Sequence, residues 1–237
     1  MPGRPTNEPL NYFALGVQSA KNTEASTYHF FKHLAGSQFD TEFEVQSEYE
    51  GGDGQEVGLR YKTMHKADGG LNINARMAGA GRLLAWTLGA DAVTAATPYH
   101  DHIQTPLMAS QPFLTADQRW ADALERTSNI QITQLSITGE AGRPIKMQGQ
   151  FLSAGTAYER PVASALTAAR ETGDPFFFPY ASIYRATAAA DTAGGCKITK
   201  FEMVIKRRVD DGIQTCSLNR EDVVPLAFDV DVNWTEK

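Results

Sequence analysis

From residue 41 to residue 50 every even position is Glu or Gln, and the odd positions include Phe43, Val45 and Tyr49. Side chains alternate faces along a strand, so this spacing predicts an amphipathic strand with Glu42, Glu44, Gln46, Glu48 and Glu50 on one face. A glycine-rich tip follows at 51–57, and a second strand is predicted over 58–66, with Arg60, Lys62 and Lys66 expected on one face. The stretch Ala67-Asp68-Gly69-Gly70 reads as a turn into a third strand over 71–77. Three antiparallel strands with one apolar and one charged face suit a wall, with the core behind and water or a polymer in front.

The same patterning organises the rest of the chain. Residues 11–17 read as a short strand, and 27–34 as a strand or a short helix, with a strand or loop favoured. Over 79–88, Ala80, Leu84 and Leu88 recur every four positions and Gly89 supplies a stop, which predicts one short amphipathic helix. Its early glycines would let it lie close to a sheet. Residues 90–120 read as a mostly irregular connection containing strands near 99–104 and 112–115.

A strong strand follows at 129–138. Its apolar phase slips between Ile132 and Leu135, as a bulge requires. A turn at 139–142 and a returning strand at 145–152 complete a hairpin. Residues 163–173 read equally as helix or loop. The segment Pro175-Phe176-Phe177-Phe178-Pro179-Tyr180 has a proline at each end, so it is expected to cover a sheet edge or form an interface patch. Long strands are predicted at 196–208 and 225–234, the second with apolar even positions. A weak echo links 132–137 to 198–203.

The predicted fold is mainly β: an antiparallel β-sandwich or half-barrel with one flanking helix. The Pro-rich residues 1–10 form an N-terminal arm. Residues 11–237 form a single domain, with a hairpin tip at 51–57 and an irregular insertion at about 155–180. Hydrophobic residues make up 42% of 237, enough for a packed core rather than wholesale disorder. The formal charge of −6 argues against gripping phosphates, which takes concentrated Lys and Arg, but suits a surface past which nucleic acid slides. The start of the chain has no apolar stretch behind basic residues. No window approaches the run of about 18 apolar residues that a membrane span needs. The expectation is a protein that stays in the cytoplasm, with Cys196 and Cys216 as reduced thiols, although the two could pair.

Candidate chemistry is sparse. His29 and His33 are four apart, but Phe30 stands where a zinc-protease helix needs Glu. His100 and His102 share one face of a predicted strand with no further ligand beside them, and read as a structural or solvated pair. There is no phosphate-cradling loop and no nucleophile elbow. The regular glutamate row does not look like a catalytic acid pair, which needs two differently perturbed carboxyls in a cleft. It reads either as a surface with an electrostatic task or as a solvated face pairing with Arg60 and Lys62. No catalytic residue, metal site or cofactor is expected.

The order of these elements resembles the tail tube proteins of long-tailed bacteriophages. The resemblance rests on the arm, the charged meander with its glycine tip and the helix ending Leu88-Gly89. It continues through Tyr99-His100-Asp101-His102, Phe113-Leu114-Thr115 and the 130–152 hairpin. It covers residues 10–155 best. It implies a structural virion protein, six copies to a ring, and rings stacked into a hollow tube through which DNA reaches the host. Glu42, Glu44, Glu48 and Glu50 would then face the lumen, and Gly51, Gly52, Asp53, Gly54, Gln55 and Glu56 would touch the next ring. Partners would be further copies, the tail's terminator, baseplate, tape-measure and sheath proteins, and DNA passing unbound, with assembly in the host cytoplasm. Alternatives are another ring-forming tail component, such as a terminator or baseplate hub, or a soluble sandwich binding a ligand at the 176–180 aromatics.

Overall fold

The computed structural model describes residues 12–48, 59–95, 100–107, 111–119, 124–153, 158–159, 166–167, 171–178, 198–210 and 224–236. The fold is mainly β and antiparallel with one helix, as expected. In chain order the strands are β1 (Tyr12–Val17), β2 (His29–Phe31), β3 (Gln38–Glu48), β4 (Leu59–Asn74), then helix α1 (Met77–Leu88). They continue as β5 (Gly89–Ala95), β6 (His100–Pro106), β7 (Leu114–Arg119), β8 (Leu124–Glu140), β9 (Lys146–Ser153), β10 (Tyr158–Glu159), β11 (Ile198–Asp210) and β12 (Val224–Glu236). Among the described residues, ten strands form one sheet whose main path is β2-β1-β7-β8-β9-β4-β3, while β5 and β6 pair only with each other.

The long strand β8 is the hub. Its first half pairs with β7 and β10, and its second half with β9 and β11. The change of partners coincides with irregular backbone. Asn129 has φ of 60°, and the β8–β9 register shifts between Ile132 and Gln134, where the apolar phase slip called for a bulge. The strained residue is tied down by amides. Asn129 Nδ2 donates to Asn22 Oδ1 (2.8 Å) and the Asn22 amide donates to Asn129 Oδ1 (2.7 Å). Gln18 Oε1 accepts from the Asn129 amide. Asn22 also has positive φ, 66°, and asparagine tolerates that conformation better than other side chains with a Cβ.

The sheet rolls around its core. Phe13, Leu15, Phe39, Leu71, Ile73, Leu114, Ile130, Ile132, Leu135 and Phe151 are almost wholly buried. Helix α1 covers the open side with Leu83 and Trp86, the indole meeting Phe31 edge-on at 6.2 Å. The buried stripe is Leu83, Trp86 and Thr87, while Ala80 and Leu84 are only partly buried. Gly89 ends the helix with φ of 94°. The early glycine does not meet a sheet: the Gly79 amide donates to the buried carboxylate of Glu171 at 2.7 Å, satisfying an N-terminal donor that no local side chain caps.

Three sequence expectations change. The predicted turn at 67–70 is the middle of the continuous strand β4, which pairs with β3 through Gly70 and with β9 from Asp68 onward. Gly69 serves close approach rather than a bend: a Cβ there would lie 2.5 Å from the Phe39 ring. Residues 89–95, read as irregular, form β5, because the hairpin partner that makes them a strand is β6. Segment 175–178 bridges the ends of β4 and β9 rather than an edge, with Phe176 exchanging backbone bonds with Ile145 and Ala75 and the Phe178 ring 5.5 Å from that of Phe201.

Candidate functional surface

The strand pattern leaves one side of the sheet largely polar, with buried Val204 of β11 as an apolar interruption. Strand β9 alternates with full regularity: Lys146, Gln148 and Gln150 are exposed, while Met147, Gly149 and Phe151 are buried. Register carries the polar side across its neighbours. One row runs Gln38, Gly70, Gln150, Gln134, Lys206, Asp229, and another Asn74, Lys146, Thr138, Glu202, Asn233. Between them lie Asn72, Gln148 and Ser136. The surface therefore spans β3, β4, β9, β8, β11 and β12, with Leu71, Ile73, Leu135 and Phe151 behind it. It is dominated by amides and hydroxyls, with carboxylates interspersed. Two basic groups on β11 are neutralised across the strand pair, Arg208 meeting Asp229 at 2.5 Å and Lys206 meeting Asp231 at 3.4 Å, while Lys200 lies with Lys146 and Arg143 around a second small groove. A shallow groove of about 520 Å³ crosses it beside Asn72, Thr138, Lys146, Gln148 and Glu202.

The predicted glutamates divide. Glu42 and Glu44 lie in β3 at register positions opposite Lys66 and Met64, two and four residues beyond the Asp40–Asp68 pair. Glu48 is opposite Leu59. Glu50 and the tip residues Gly51, Gly52, Asp53, Gly54, Gln55 and Glu56 lie outside the described residues, as do Cys196 and Cys216. The register of Arg60, Lys62 and Lys66 is not uniform. A register shift at Glu44/Val45 leaves Lys66 opposite Glu42 but sets Lys62 opposite Val45 and Arg60 opposite Ser47. A bulge adds one residue to one strand and so inverts the alternation beyond it, which residue spacing alone does not reveal.

The histidines do not converge. His29 lies in β2 and His33 makes an isolated bridge to Ile73, so the helical spacing does not apply. His102 pairs with Asp91 at 3.1 Å on the exposed β5–β6 hairpin. Among the described residues no three His, Cys, Asp or Glu groups gather as metal ligands, and no helix is long and apolar enough to cross a membrane.

Several buried polar groups escaped the sequence reading. Asp117, fully buried on β7, accepts from Tyr12 Oη (2.6 Å) and from Arg126 (2.8–2.9 Å). Burial, then the bond to Asp117, pushes the Tyr12 phenol well above its ordinary range. Burial likewise lifts Tyr28 to about 12, against the pull of Arg126, whose guanidinium lies 5.8 Å over the Tyr28 ring. On β11, Arg207 is 5% exposed and donates to Gln111 Oε1 and Gln131 Oε1, while Gln111 donates to the Thr87 carbonyl. Burial lowers the Arg207 pKa to about 10. The one available signal was the break in β11's alternation, where an arginine occupies the apolar phase after Met203 and Ile205.

These arrangements hold the strands in place and bring no nucleophile, acid and base together. Comparison with family models gave no match, and comparison with curated proteins gave none either.

Proposed function

We propose that this chain is a structural virion protein, a subunit of hexameric rings that stack into the hollow tail tube of a long-tailed bacteriophage. The observation that carries the reading is the largely polar side of the sheet, which runs across six strands with buried Val204 of β11 within it and the hydrophobic core directly behind it. A duplex is densely negative, and a cationic wall would bind it and drag. A wall of amides, hydroxyls and carboxylates holds water, and the pairing of Lys206 and Arg208 with aspartates lowers its attraction for phosphates. In this reading Glu42, Glu44, Glu48 and Glu50 line the lumen, and the tip from Gly51 to Glu56 reaches the neighbouring ring. The partners are further copies, other tail proteins and passing DNA.

Negative-stain electron microscopy of the purified protein over a range of concentrations tests the assembly. Hollow rings or tubes of uniform width are expected, and a chain that stays monomeric even with tail initiator components present would sink the proposal. Glu44→Lys together with Glu48→Lys should leave tubes assembled but slow DNA delivery; unchanged delivery kinetics would remove the lumen assignment.

The groove beside Lys146 and Glu202 favours a second reading, a soluble module that binds a polar ligand on this face. The aromatic segment is a weaker ligand site than its sequence suggested, because Phe178 is buried against Phe201. A module of this kind stays small as concentration rises.

A further inference from the structure

We propose that the small groove at the turn end of the β8–β9 hairpin binds a compact, multiply charged oxyanion of the phosphate or pyrophosphate class, held by Arg143, Lys146 and Lys200. The inference goes beyond the ring reading and does not depend on it.

The strand register builds the site. Lys146 of β9 stands opposite Thr138 of β8, and Lys200 of β11 stands opposite Glu140, two residues further along β8. Directly opposed residues share a face, and so do residues two apart on one strand. Both lysines therefore rise from the same side of the sheet and flank β8 from its two neighbours. Adjacent strands lie about 5 Å apart, so the two lysine backbones are about 10 Å apart across β8. Long side chains from either side can converge over that span. Arg143 enters from the turn, which the main chain fixes: the Arg143 amide donates to the Glu140 carbonyl at 3.0 Å, and the Ala141 amide to the Thr199 carbonyl at 2.9 Å. All three cations line one groove of about 200 Å³, together with Thr138 and Glu140.

The two ends of β11 treat their cations differently. Lys206 and Arg208 each meet an aspartate of β12. At Lys200 the β12 partner is neutral Thr235, and Lys146 stands between neutral Asn74 and Thr138. Glu140, opposite Lys200, gives its carboxylate to Arg143 at 3.1 Å. Neither lysine makes an ion pair among the described residues. The groove thus keeps an excess of positive charge. Glu202 lines the larger groove on the far side of Thr138 and Lys146 and limits that excess there. A recess lined mainly by one sign of charge focuses its potential on a counter-ion. An oxyanion with several acceptor oxygens can meet the lysine ammonium groups and the arginine fork together. Pockets for drug-sized ligands run from about 300 to 1,000 Å³, so this one suits a smaller group.

Calorimetric titration of the purified chain with sodium pyrophosphate at low ionic strength tests the site. Saturable binding is expected, weakened at least about tenfold by Lys146→Gln together with Lys200→Gln. A control, Lys32→Gln together with Lys206→Gln, removes the same formal charge outside the groove and should change affinity less than about twofold. All four lysines are exposed, so the core is untouched. Equal weakening by the control would reduce the effect to net charge and overturn the site, as would the absence of saturable binding to the unaltered chain. Glu140→Gln removes the groove's carboxylate and releases Arg143, and should tighten binding about threefold; weaker binding in that variant also overturns the assignment. A short DNA duplex is the second probe. A duplex that leaves pyrophosphate in place supports a compact ligand, whereas one that displaces it assigns the groove to backbone phosphates and overturns the small-ligand reading.

Discussion

The side-chain carboxamide of Gln118 pairs with the main chain of Phe39 as a neighbouring strand would. Its Oε1 accepts from the Phe39 amide at 2.9 Å, and its Nε2 donates to the Phe39 carbonyl at 2.7 Å. The same Nε2 donates to buried Glu125 at 2.7 Å. Strands β7 and β3 are not partners in the sheet order, so a side chain on one side of the roll holds the edge strand of the other. The ladder does not close, and the half-barrel is fastened by an amide instead.

Gln118→Leu keeps the volume and removes the carboxamide that bonds the Phe39 amide and carbonyl. Leaving a buried polar group unmatched costs about 1–3 kcal/mol. A loss of about 2–4 kcal/mol is expected in urea unfolding, with hydrogen-exchange protection falling first at the Phe39 amide. Unchanged protection there would show that β3 is held by packing alone.

Asn129 separates conformation from hydrogen bonding. Asn129→Ala must keep positive φ with a Cβ and loses the bonds to Asn22, whereas Asn129→Gly loses the bonds only. The alanine variant should be the less stable by about 1 kcal/mol in thermal or urea denaturation. Equal stabilities would place the stabilisation in the amide network rather than the backbone.

Arg207 is a buried cation whose described partners are neutral. Burial holds its pKa at about 10, below the ordinary guanidinium range, so the charged form is disfavoured in the folded state and stability should rise with pH above about 10. Arg207→Met should be neutral or stabilising at pH 7 and should abolish the alkaline rise. A loss of stability in that variant would mean that the bonds to Gln111 and Gln131 outweigh the desolvation.

His29 behaves in the opposite pH range. Burial, reinforced by Arg82 and opposed by Glu171 at 4.0 Å, lowers its pKa from the ordinary 6.5. The unfolded chain then takes up the proton first, so stability should fall as pH drops below 6.5 and level off once the folded imidazole is protonated. His29→Phe should flatten that part of the stability–pH curve. A slope unaltered by the substitution would assign the acid sensitivity to other groups.

Glu171 caps α1 from a segment 92 positions away in the chain. Glu171→Ala should cost about 1–2 kcal/mol, with Glu171→Gln recovering part of it through the retained acceptor. Helix-specific hydrogen exchange over 79–83 is the measurement. If Glu171→Gln and Glu171→Ala lose equally, the charge rather than the acceptor matters.

The sequence by itself determined the fold class, most strand positions, the helix and its Gly89 stop, and the bulge after Ile132. Each of these depends on local alternation, periodicity or turn chemistry, which neighbouring residues carry. It did not show that a polar side runs through Asn72, Gln148, Ser136 and Glu202. That continuity is a matter of register between strands distant in the chain. Only the tertiary structure decided that 67–70 runs straight, because the Phe39 ring, not a bend, demands Gly69. Only it separated Lys62 from the glutamates, placed Arg207 in the core and brought Gln118 to Phe39. A bulge, a close approach and a buried amide depend on what lies across the fold, and the spacing of residues along the chain does not encode it.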